Sequence, residues 1–85
     1  MSYSLEWHPN VRKFLRKLPK DESERIVLKA KELENEPFHY LEHYEGSDYY
    51  KFRVGDYRLL VDVDHQKKVI FIRVIGHRKN IYKGA

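Results

Sequence analysis

The chain has 85 residues and a mass of 10.4 kDa, with no cysteine, three prolines and four glycines. That is enough chain for one small domain, and it excludes a disulfide framework, a cysteine nucleophile and any thiolate-ligated metal. The net charge is +4, but residues 1–48 hold eight basic and ten acidic side chains while residues 49–85 hold nine and three. A basic excess confined to one half is the electrostatic footprint of a polyanion-binding protein, nucleic acid being the simplest such partner. The opening residues contain Glu6 and Pro9 and no apolar run, so neither a secretory signal nor a membrane span is expected there, and a cytoplasmic location is.

Tyr3, Leu5 and Trp7 alternate with polar residues, the pattern of a half-buried strand. Pro9 suits the first turn of a helix, along which Val11, Phe14, Leu15 and Leu18 form an apolar stripe opposite Arg12, Lys13, Arg16 and Lys17. Pro19 ends that helix. A second one is expected from Asp21, with Asp21 as its cap and Ile26, Val27, Ala30 and Leu33 as its stripe. Glu22/Arg25, Lys29/Glu32 and Lys31/Glu34 are spaced to pair along it. Pro37 stops the helix, and residues 37–48 follow neither period, so they read as a loop.

From Tyr49 onward three runs rich in aromatic and β-branched residues, 49–54, 57–63 and 68–75, predict an antiparallel meander. The last run is apolar on both faces apart from Arg73, which places it inside the sheet. The expected architecture is therefore α+β: a single compact domain over residues 1–85, in β-α-α-β-β-β order, with an antiparallel sheet and a helical hairpin packed on one face.

A two-residue turn at Gly55-Asp56 sets Val54 against Tyr57, Phe52 against Leu59 and Arg53 against Arg58. Phe52, Val54, Tyr57, Leu59 and Val61 then share the face beneath the helices, while Lys51, Arg53 and Arg58 share the other. Like charges opposite one another cost on the order of 0.2–1 kcal/mol, and a bound phosphate reverses the sign of that term. The competing expectation is that the three cations splay into water and pair with Glu42, Glu45 or Asp48. Tyr49 falls on the charged side, where it is a candidate to stack on a base. Beyond the last strand, His77, Arg78, Lys79 and Tyr82 offer groups for proton transfer and phosphate binding. His39 and His43 are four apart but lack a third ligand, so no metal is expected.

The block Tyr50-Lys51-Phe52-Arg53-Val54-Gly55-Asp56-Tyr57-Arg58, followed by Ile75-Gly76-His77-Arg78 and Tyr82, resembles the RelE branch of the RelE/ParE toxin superfamily, especially its compact archaeal members. The resemblance implies the toxin of a type II toxin-antitoxin pair, a ribosome-dependent endoribonuclease that cuts mRNA in the A site and inhibits translation without metal or cofactor. It implies catalytic roles for Lys51, Arg53, Arg58, Arg78 and Tyr82, with His77 as the competing general base, and RNA contacts for Tyr49 and Lys79. The implied partners are a RelB-like antitoxin, in a complex of heterotetramer type, and the ribosome with its message, and no membrane. Two other readings stay open: a ParE-like poison of DNA gyrase and a basic RNA-binding module without chemistry.

Overall fold

The structure, a computed structural model, describes residues 2–77. Its elements are β1 (Ser4–Trp7), α1 (Pro9–Lys17), α2 (Lys20–Lys31) with a 3₁₀ turn at Glu32–Glu34, α3 (Pro37–Tyr40), β2 (Glu42–His43), β3 (Tyr50–Val54), β4 (Tyr57–Asp64) and β5 (Val69–His77).

Proline writes most of the helix boundaries. Pro9 occupies the first turn of α1, and His8 caps it by accepting the Asn10 N–H at Nδ1, 3.0 Å away. Leu18 is extended, as a residue before proline is driven to be. Pro19, rather than Asp21, stands at the cap of α2, where no side chain makes the capping bond. Asp21 and Glu22 lie inside the first turn, where their charge still complements the helix dipole.

Residues 37–48 are more ordered than their lack of period predicts. Pro37 starts a single helical turn, Phe38 and Tyr40 set ring edges against Tyr50 and Phe52, and Glu42–His43 pairs with Lys51 and Tyr50. A four-residue helix and a two-residue strand are too short to carry a hydrophobic period.

The sheet runs β1-β5-β4-β3-β2. Strands β3, β4 and β5 form the expected antiparallel meander, and β5 is interior. β1 joins it in parallel, Leu5 beside Ile70 and Trp7 beside Ile72, so the sheet is mixed rather than antiparallel throughout. Alternation reports which side a strand buries and carries no information on its direction, so the sequence pattern is silent on this point.

The helices lie on one face, and between them and the sheet Val11, Ile26, Leu33, Leu59, Val61, Ile70 and Ile72 are fully buried. A bulge in β5 shifts its phase, because Val61 faces Ile72 and Leu60 faces Val74, leaving Arg73 without an opposite number. Ile70 and Ile72 before the bulge, and Ile75 after it, can thereby all face the core. Arg73 turns outward, 3.4 Å from Asp62. No helix among the described residues is long and apolar enough to cross a membrane.

Candidate nucleic-acid interface

The charged surface is built on the β3–β4 hairpin. Gly55 sits at φ +57° while Asp56 keeps a negative φ, the arrangement of a type II′ turn, whose twist matches that of the strands it joins. The turn fixes the register: Val54 opposes Tyr57, Arg53 opposes Arg58, Phe52 opposes Leu59 and Lys51 opposes Leu60. Phe52, Val54 and Leu59 are buried beneath the helices, and Lys51, Arg53 and Arg58 project from the opposite face, as the alternation predicts. On β5 the neighbour of Arg58 is Gly76, which brings no side chain to the surface there.

The three cations differ in their surroundings. Arg53 is exposed, Lys51 is half-buried, and Arg58 is only 3% exposed, the one charged side chain buried among the described residues. This corrects the expectation that all three splay into water. Arg58 lies on a strand flanked on both sides, so its methylenes are packed along the sheet while Arg53 stands one strand nearer the edge. Among the described residues, Lys51 and Arg53 have no carboxylate within ion-pair distance. Glu42 lies across from Lys51 in register without pairing with it, so neither of these two cations pairs with a loop acid among the described residues.

Tyr49 is half-buried just before β3. Its N–H donates to Ser47 Oγ at 3.0 Å and its carbonyl accepts the Tyr44 N–H at 2.9 Å, which fastens the loop that leads into the charged strand. His77 is placed differently from the hairpin cations. It opposes Tyr57 in register, its ring edge-on 6.0 Å away, and therefore lies on the helix side of the sheet. Arg78, Lys79 and Tyr82 lie outside the described residues.

Tyr57 organises a small cluster that sequence reasoning treated only as core. Its hydroxyl donates to Glu22 Oε1 at 2.9 Å, and Phe14 meets its ring edge-on at 6.0 Å. The hydrogen bond to Glu22, then desolvation and the charges of Glu22 and Asp56, raise the phenol above its usual value. The sequence signal for it was a tyrosine at the start of a core-facing strand, where one end of the ring is wet. His39 and His43 face different rings, Tyr40 and Tyr50, and the described residues contain no group of three possible metal ligands.

A family model described as the ParE toxin of type II toxin-antitoxin systems matches residues 5–82. Among solved structures, the archaeal RelE–RelB complex from Pyrococcus horikoshii OT3 aligns at 33% identity and TM-score 0.77, covering 92% of this chain and 97% of that one. The RelBE2 toxin-antitoxin complex of Mycobacterium tuberculosis aligns at 26% identity and TM-score 0.77, over 92% and 100%. E. coli toxin RelE in the free state aligns at 26% and 0.76, over 98% and 93%. No curated protein matches the chain.

A helical hairpin on one face of a five-stranded sheet and a cationic hairpin on the other thus define a toxin of the type II toxin-antitoxin class. The chain belongs to the RelE/ParE superfamily and within it to the RelE-like branch.

Proposed function

We propose that this toxin is a ribosome-dependent endoribonuclease that cuts mRNA in the A site, held in check in the cytoplasm by a RelB-like antitoxin in a heterotetrameric complex. The observation that carries the reading is the guanidinium pair Arg53–Arg58, set directly opposite each other beside Lys51. Like charges set opposite each other on a sheet repel, whereas a phosphodiester passing into a dianionic phosphorane gains from every donor aimed at it.

In the proposed reaction the 2′-hydroxyl attacks the adjacent phosphorus. The P–O5′ bond breaks, a 2′,3′-cyclic phosphate remains on one fragment and a 5′-hydroxyl on the other. Arg53 and the buried Arg58 stabilise the phosphorane, the latter strongly because low-dielectric surroundings enlarge its effect. Lys51 gives its proton to the departing O5′, or Arg78 stabilises that oxygen's charge while water protonates it, and Tyr49 and Lys79 hold the message. The proton of the 2′-hydroxyl goes to the phenolate form of Tyr82, the anion that neighbouring cations favour, since the helix-side position of His77 sets it apart from the hairpin cations. The ribosome supplies the in-line alignment of message and phosphate that so small a site does not.

The RelE structures with which the chain aligns were solved with RelB antitoxins or free, which supports an antitoxin partner. The family model that matches is named for ParE, so gyrase poisoning is the second reading.

Translating ribosomes incubated with the protein test both. Cleavage within codons is expected, with Arg53→Ala slower by about a hundredfold or more, Tyr82→Phe strongly impaired and His77→Gln active. Intact messages together with arrested gyrase would establish the ParE-like reading instead.

A further inference from the structure

α2 contributes a cation to the hairpin turn. Along this helix the spacing predicts that Arg25 pairs with Glu22, but Glu22 is taken by the Tyr57 hydroxyl at 2.9 Å. Arg25 turns to the β3–β4 hairpin instead, where its Nη1 lies 3.6 Å from the position a Cβ would occupy on Gly55. Its side chain is exposed, and among the described residues it has no carboxylate within ion-pair distance. Arg53 and Arg58 are the second residue before and the third after Gly55, so the turn is ringed by guanidinium groups on both sides of the sheet. Asp56, exposed at the apex, is the one acid within the turn.

An unpaired guanidinium held against a turn, next to two others that face a proposed phosphate, has the chemistry of a further backbone contact. From Arg53 to Gly55 is two residues of strand, roughly 7 Å, so a polynucleotide gripped by Arg53 passes within reach of Arg25 if it continues around the turn. We infer that Arg25 is a positioning residue of the nucleic-acid interface, binding a phosphate that flanks the one under attack and extending the interface from the sheet face around the Gly55 turn to α2. The inference rests on the reading of the hairpin face as a phosphate site. It also assigns a role to the Tyr57–Glu22 hydrogen bond, which keeps Glu22 from neutralising Arg25.

The test is equilibrium binding of the full chain to ribosomes programmed with a message and an empty A site, measured over a salt series for wild type, Arg25→Gln, Arg25→Lys, Arg53→Gln and Asp56→Asn. Loss of one phosphate contact should weaken binding several-fold at low salt and flatten the slope of log K against log salt by about 0.7. Arg25→Gln and Arg53→Gln should each do this, Arg25→Lys should recover most of the slope, and Asp56→Asn should tighten binding. Thermal melting runs in parallel. A wild-type slope in Arg25→Gln beside a flattened one in Arg53→Gln overturns the inference and leaves the hairpin face intact. Wild-type slopes in both overturn the phosphate reading of the hairpin and this inference with it. A lowered melting temperature in Arg25→Gln that Arg25→Lys restores, with no change of slope in either, assigns Arg25 to screening Asp56 and also overturns the inference.

Discussion

Arg53 and Arg58 are opposite one another and the same in kind, yet removing them should have opposite consequences for the fold. Arg58 is 3% exposed, and truncating it to alanine removes a packed stem as well as a charge, a change of about 1–3 kcal/mol. In a domain of this size each kcal/mol moves the melting temperature by roughly 4–8 °C. Arg53→Ala deletes an exposed charge that repels its neighbour, so its melting temperature should stay level or rise slightly. Differential scanning fluorimetry of the two variants checks this, and it makes Arg53 the cleaner probe of chemistry.

Tyr57 gives a pH dependence of the opposite kind to that of a buried acid pair. Its phenol is raised above the ordinary value of 10.0, chiefly by donating to Glu22. Its contribution is therefore fully present below that value and is lost as pH climbs toward and past the raised one. As pH rises above the ordinary value of 10.0, the wild type should lose stability more steeply than Tyr57→Phe. Urea midpoints across that range would show the two curves converging as the hydrogen bond, about 0.5–1.5 kcal/mol at neutral pH, disappears.

Among the elements, the β3–β4 hairpin was the most legible. Gly55-Asp56 between two alternating runs fixed a two-residue turn, and the turn fixed the register, which the structure reproduces pair by pair. The burial of Arg58 was not legible, because alternation assigns a face without saying how crowded that face is. The direction of β1 was hidden because it depends on a partner far along the chain, and the one-turn α3 and two-residue β2 because elements so short carry no local period.

The Gly55 turn itself makes a sharp prediction. At φ +57° an alanine pays about 1–2 kcal/mol in backbone strain. The nearest atom to its added Cβ would be Arg25 Nη1 at an ordinary contact distance of 3.6 Å, so the cost is conformational. Gly55→Ala should shift the denaturant midpoint downward with an unchanged m value, since the surface exposed on unfolding is the same.

At the scale of the whole molecule, the sheet joins the two ends of the sequence. Its interior strand β5, written last, lies between β1, written first, and β4. Ile70 and Ile72 supply core that nothing earlier in the chain replaces, and an isolated β3–β4 hairpin is at best marginal in water. While the protein is being synthesised, at about 5–20 residues per second and so over roughly 4–17 s, the growing chain has the cations of the hairpin but no platform to hold them in register. The platform closes only when residues 69–77 have left the ribosome and slotted between strands made seconds before. Strand order therefore works as a timing device: the cations of the hairpin are made first, and the face that holds them in register exists only once the strand that follows them in sequence has been made.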